Sequence, residues 1–122
     1  VLYSAIDARR PATVSPTVVS RVMRGAIGFE GVLISDDIGM AALGGTFAER
    51  GGAALAAGCD VVLHCSGKLV EMRQAADGLA PTSPKAGQRL ERALARTKPR
   101  PFDRAQALTR LSILMEQAVT VA

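Results

Sequence analysis

Three observations predict an α/β fold built on a parallel sheet. Short apolar runs begin at residues 1, 32 and 61, a repeat of about thirty residues, the length of one βα unit. The stretches between them carry helical rather than strand periodicity, as right-handed crossovers require. The composition is 48% hydrophobic but only 3% aromatic, which suits a core of Val, Leu, Ile and Ala. Three such units do not by themselves separate a (β/α)8 barrel from a doubly wound sheet. At 122 residues, the chain is one domain or a piece of one. It starts at Val1, without Met and inside an apolar run, so further residues are expected upstream.

Residues 1–5 are apolar enough for a strand cut off at its start, and residues 7–13 form a polar loop with Pro11. Ser15-Pro16 supplies an N-cap and a first-turn proline. Val18, Val19, Val22, Met23 and Ile27 then recur at helical spacing, with Gly25 and Gly28 loosening and closing the helix. The second strand is expected over 32–35. Thr46 opens a helix over 47–57, ended by Gly58, and a strand follows over 61–63. A third helix is expected from about Lys68 to Leu79. Ser83-Pro84 caps a fourth, through about Arg96, with Leu90 and Leu94 on one stripe. Lys98-Pro99-Arg100-Pro101 breaks the chain, and Asp103 opens a last helix with Leu108, Leu111, Leu114 and Met115 facing inward. Two helices after the last strand suit the C-terminal cover of a finished barrel.

The net charge of +4 is uneven. Residues 1–80 hold seven Lys/Arg against eight Asp/Glu, and residues 81–122 hold eight against three. The excess falls on Lys85, Arg89, Arg92, Arg96, Lys98, Arg100, Arg104 and Arg110. Only Phe102 falls among these charges, too little aromatic surface for base stacking, so a solvated outer face is expected rather than a nucleic-acid or membrane surface. Cys59 and Cys65 flank the 61–63 run. On a strand they stand roughly 20 Å apart, too far for a disulfide, and neither Cys/His spacing nor CxxC suggests zinc. They read as small buried hydrophobes in a reducing compartment. No metal and no cofactor are expected.

The most informative segment is 31–40, Gly-Val-Leu-Ile-Ser-Asp-Asp-Ile-Gly-Met. An unbroken apolar run reads as a strand buried on both faces, and residues just past the C-terminal end of a parallel strand face the crevice used for chemistry. Asp36 and Asp37 are placed there. A purely structural pair, one N-cap and one solvated neighbour, fits the same pattern.

The chain from Val22-Met23-Arg24-Gly25 through Gly28-Phe29-Glu30-Gly31 to Ser35-Asp36-Asp37-Ile38-Gly39-Met40 resembles the nucleophile region of family 3 glycoside hydrolases. Its nearest likeness is to their bacterial β-N-acetylhexosaminidase branch, which acts in cell-wall recycling. Ala5-Ile6-Asp7, the 10–15 segment Arg-Pro-Ala-Thr-Val-Ser and the block Ala56-Ala57-Gly58-Cys59-Asp60-Val61-Val62-Leu63 resemble it in the same order and spacing. The resemblance covers residues 1–80 and, less fully, the terminal helices. It implies that this chain supplies the last three βα units of a (β/α)8 TIM-type barrel plus C-terminal helices. Residues 1–122 would then be the C-terminal part of a single catalytic barrel whose N-terminal part is missing.

The resemblance further implies a cytoplasmic retaining exo-β-N-acetylglucosaminidase, monomeric when complete, with no nucleic-acid or membrane partner. Its substrate would be N-acetylglucosamine-containing muropeptides derived from peptidoglycan. Asp36 aligns with the catalytic nucleophile, and Asp37 stands where the β-glucosidase branch carries Trp. Ala26 and Ser66 depart from the family pattern, in which a charged or amide side chain and an Asn are usual. Met40 and His64 are candidate substrate-binding residues; Met40 is equally suited to packing, and His64 reads as a structural or pocket-lining residue rather than the family's acid/base. Asp37 either orients its neighbour or caps the next helix, with capping favoured. The family's acid/base, a His–Asp pair on a loop, maps upstream of Val1, so these residues alone are expected to be inactive. The alternatives are a phosphoacceptor-type regulatory α/β module using the Asp36/Asp37 pair, and a non-catalytic homologue. The former needs a carboxylate at the next strand end, where His64-Cys65-Ser66-Gly67-Lys68 stands instead.

Overall fold

The computed structural model describes residues 1–97 and 101–119. A short 3-10 turn, Ala12–Val14, precedes a π-helix, Thr17–Ala26. Strand β1 (Ile34–Asp37) leads through a loop to helix α1 (Phe47–Ala57), strand β2 (Val61–Leu63) and helix α2 (Leu69–Asp77). Helices α3 (Pro84–Arg96) and α4 (Arg104–Val119) follow. The two strands are parallel neighbours, joined by α1 as a βαβ unit. The alternation of strands and helices is that of an α/β fold.

Local chemistry accounts for most element boundaries. Ser15 Oγ accepts from the Val18 N–H at 3.2 Å and donates to Asp7 Oδ2 at 2.7 Å, so the N-cap is itself anchored. The helix that follows is wider than the expected α-helix: Ile27 N–H donates to Val22 C=O across five residues, at 2.9 Å. Thr46 and Glu49 form a reciprocal capping box at α1, and Gly58 closes that helix at φ 116°. Ser83 Oγ accepts from Ala86 N–H at 3.1 Å, opening α3 over Pro84. Asp103 Oδ1 accepts from Gln106 N–H at 3.0 Å at the start of α4. Gly78, which ends α2, lies against α1 so closely that an added Cβ would overlap the Ala48 carbonyl.

Two apolar clusters hold the π-helix, α1 and α2 against one face of the strand pair. Val19, Ala57 and Cys59 form the first, with Met23 and Leu33 against them. Ile38, Leu43 and Ala75 form the second, joined by Val14, Met40, Phe47 and Val62. The opposite sheet face is uncovered: Ile34 is 55% exposed and Leu63 40%. Beneath the first cluster, a charge network ties the loop before β1 to β2 and α3. Asp60 accepts from Arg24 Nη2 at 2.6 Å, from Leu33 N–H at 2.9 Å and from Arg89 Nη1 at 2.9 Å. Arg24 Nη1 also donates to the carbonyls of Phe29 and Gly31.

Several sequence expectations are corrected. Residues 1–5 form no strand; the N–H groups of Ile6 and Asp7 turn back to the Tyr3 carbonyl at 2.8 and 2.9 Å, satisfying locally what a ladder would have used. Two strands rather than three are thus formed among the described residues. β1 lies two residues later than expected, and it is not buried on both faces, because helices cover only one. Arg89 is buried at 6% exposure rather than solvated, because Asp60 balances its charge. Cys59 is buried as expected, but Cys65 is exposed, and both are free thiols. Leu108, Leu111, Leu114 and Met115 do not face inward: each is at least half exposed, since no surface of the described chain complements that stripe. The Lys98–Arg100 part of the predicted chain break lies outside the described residues.

Candidate active site

Asp36 and Asp37 occupy the last two positions of β1, not the turn beyond it. Strand alternation puts Asp36 on the same uncovered face as Ile34. It is exposed, and its Oδ1 accepts from the Asp37 N–H at 2.9 Å. Beside it lies a pocket of about 270 Å³ bordered by Tyr3, Thr13, Met23, Ile34 and Ser35, among others. A larger cavity, about 610 Å³, lies between α1, β2 and α3. The one carboxylate on its wall, Asp60, is already spent on two arginines.

Asp37 turns the other way. Its Oδ1 accepts from Gly39 N–H at 2.8 Å and from Cys65 N–H at 3.2 Å, bridging the ends of both strands. The Gly39 bond holds its carboxyl below the ordinary range; burial works against this, and Cys65 N–H and His64 reinforce it. It is no helix cap, because α1 begins ten residues later and is capped by Thr46. His64 lies beside Asp37, its Nδ1 3.4 Å from Asp37 Oδ1 without hydrogen-bond alignment. Its Nε2 is 2.9 Å from Ser66 Oγ and 3.1 Å from Glu71 Oε2, and its ring packs at 4.8 Å against Phe47. Glu71 is held below the ordinary carboxylate range by the Ser66 hydroxyl and the Lys68 ammonium.

The structure thus brings Asp36, Asp37 and His64 to one end of the strand pair, with His64 reaching Asp37 rather than Asp36. Met40 is half-buried against the Ile38 cluster, and neither Met40 nor His64 borders the Asp36 pocket. Sequence reasoning missed Ser35. Its side chain is buried at 5% exposure, accepts from Leu63 N–H at 3.0 Å and donates to Asp36 C=O at 2.7 Å. A hydroxyl inside an apolar strand run was the available signal, since a buried polar group needs partners. Among the described residues no three His, Cys, Asp or Glu side chains converge as a metal ligand set. None of the described helices is long and apolar enough to cross a membrane.

A parallel strand pair with a carboxylate pair at its C-terminal end defines a class of α/β site, and comparison makes the class specific. The family model described as glycosyl hydrolase family 3 N terminal domain matches residues 1–97; the chain belongs to that family. It is similar to the beta-hexosaminidase of Chromobacterium violaceum, 40% identical over 106 residues, covering 85% of this chain and 29% of that protein. A beta-hexosaminidase of Stenotrophomonas maltophilia is 49% identical over 73 residues, covering 58% of this chain and 22% of its own length. The solved structure of native NagZ from Neisseria gonorrhoeae superposes with a TM-score of 0.60 at 28% identity, over 78% of this chain and 30% of that one. The chain therefore spans about three tenths or less of the length of these relatives.

Proposed function

We propose that these residues belong to a retaining exo-β-N-acetylglucosaminidase and supply the nucleophile-bearing, C-terminal part of its (β/α)8 barrel. Terminal N-acetylhexosamine would be removed from peptidoglycan-derived muropeptides during cell-wall recycling. The enzyme would be cytoplasmic and monomeric when complete. Family membership and the beta-hexosaminidase relatives support the reaction class. The observation that carries the residue-level reading is Asp36 itself: an exposed carboxylate on the uncovered sheet face, beside a pocket and held by one backbone N–H. In a barrel that face turns inward, and carboxylates at strand C-termini meet the substrate.

In the proposed reaction, one Asp36 oxygen attacks the anomeric carbon while the bond from that carbon to the aglycone oxygen breaks. The departing oxygen takes a proton from a general acid, leaving a covalent glycosyl-enzyme. Water then attacks the same carbon, gives a proton to the conjugate base and releases the carboxylate. His64 is not placed for this acid/base role, being engaged with Ser66, Glu71 and Asp37. We assign the role to residues outside this chain, so the 122 residues alone should not turn substrate over. Met40 and His64 remain proposed sugar-lining residues, to be tested by their effect on KM.

Mechanism-based fluorosugar labelling of the full-length protein, followed by peptide mapping, tests the assignment. A label on Asp36 is expected, and Asp36→Ala should lower kcat at least about 10³-fold, as loss of a covalent nucleophile does. A label on another carboxylate, or unchanged turnover by Asp36→Ala, overturns it. No label, together with no turnover of a chromogenic β-N-acetylglucosaminide by the full-length protein, would point to the regulatory or non-catalytic alternatives.

A further inference from the structure

The ladder between the two strands is irregular at one point, and that point adjoins Asp36. Ile34 pairs with Val61, but the next pair is Asp37 with Leu63, so three steps along β1 match two along β2. In a regular parallel ladder, Leu63 N–H would donate to the Ser35 main-chain carbonyl, and Asp37 N–H to the Leu63 carbonyl. Here the Leu63 carbonyl accepts from Ile38 N–H at 3.0 Å, one residue beyond the regular donor. Leu63 N–H, turned from the Ser35 carbonyl by the shifted pairing, donates to the Ser35 hydroxyl, also at 3.0 Å. Asp37 N–H is thereby released from the ladder and donates to Asp36 Oδ1 at 2.9 Å. Ser35 closes the arrangement by donating to the Asp36 carbonyl at 2.7 Å.

From this we infer that Ser35 is a positioning residue for the nucleophile. Its hydroxyl, standing in for a main-chain acceptor, creates a β-bulge that frees the Asp37 N–H to orient the Asp36 carboxylate. Bulges re-aim side chains next to active sites, and this one is made by a side chain buried at 5% exposure. The inference rests on Asp36 being the nucleophile. With alanine at position 35, Leu63 N–H returns to the main-chain carbonyl and the ladder regularises. Asp37 N–H then turns to Leu63, and Asp36 loses the donor that holds it. The strand pair stays formed, and only the aim of the carboxylate is lost.

Steady-state kinetics on the full-length protein test this, with Ser35→Ala beside Ser35→Thr, which keeps the hydroxyl. The expected result is a fall in kcat of about 10² for Ser35→Ala, the effect of misplacing a reacting group by about an ångström. KM should stay within about twofold, and Ser35→Thr should recover most of kcat. Unchanged kcat in Ser35→Ala, a change confined to KM, or a loss that threonine does not restore overturns the inference. If Ser35→Ala does not fold, hydrogen exchange in the wild type decides. An Asp37 amide that exchanges faster than the ladder-bonded Ile38 amide supports the released donor, and protection of Asp37 equal to that of Ile38 overturns it. Full turnover by Asp36→Ala would remove the nucleophile reading on which this rests. An inactive Asp36→Ala beside a fully active Ser35→Ala would remove the Ser35 role alone.

Discussion

At the scale of single residues, the two adjacent aspartates divide their work because the strand turns them to opposite sides. Asp36 is exposed and bonded to one N–H, whereas Asp37 accepts two backbone N–H groups and faces His64. Those donors stabilise the ionised form, so the Asp37 carboxyl titrates below its ordinary 3.8. The folded value being depressed, its contribution to stability is complete above the unfolded pKa and is lost as pH falls through the folded one. Carbon-13 NMR titration of the carboxyls should show Asp37 with a midpoint below that of a peptide aspartate. Replacing it by asparagine should flatten the acid limb of the stability curve. A midpoint at or above 3.8 would show that the bridge between the strand ends is not made.

At the scale of elements, the Asp60 network decides how the loop before β1, strand β2 and helix α3 are held. Asp60 is buried, which opposes its ionisation, yet Leu33 N–H, Arg89 and Arg24 together hold its pKa below the ordinary value. Removing it leaves Arg24 without its carboxylate, and leaves Arg89, on α3 at 6% exposure, with only a longer 3.7 Å contact to exposed Glu30. Breaking a buried pair from one side costs about 3–5 kcal/mol, a large share of the stability of a domain this size. Asp60→Ala should therefore lower the urea midpoint sharply. Acid should weaken the wild type in the same region, as pH falls below 3.8 and through the lower folded value. A midpoint unchanged by the substitution would show that α3 is held by its apolar contacts alone.

At the scale of the whole molecule, the uncovered sheet face and the exposed stripe of α4 are the prominent features. Ile34, Leu63, Leu108, Leu111, Leu114 and Met115 are all at least two-fifths exposed, leaving both a sheet face and a helix stripe of apolar side chains in contact with solvent. Both strands of a two-stranded sheet are also edges. The 122 residues expressed alone should accordingly associate as concentration rises, visible in sedimentation velocity. They should release no chromophore from a chromogenic β-N-acetylglucosaminide. Turnover by this piece would contradict the assignment of the acid/base to residues outside it.

What the sequence by itself determined is local. Helix α1 begins and ends where Thr46, Glu49 and Gly58 place it, β2 spans the expected 61–63, and Ser83-Pro84 opens α3. The helix boundaries depend on bonds between residues three or four apart, whose partners are visible in a short window, and β2 coincides with an unbroken apolar run. The family, too, was legible, in motif blocks matched by the comparison over residues 1–97. Only the tertiary structure decided that residues 1–5 form no strand, that Arg89 is buried, and that Asp37 bridges strands instead of capping a helix. It alone showed that the ladder slips at Ser35. Those outcomes depend on partners 28 or 29 residues away, such as Leu63 for Ser35, Cys65 for Asp37 and Asp60 for Arg89. Others depend on which faces find cover, and neither pattern nor propensity encodes a meeting between distant segments until the chain has folded.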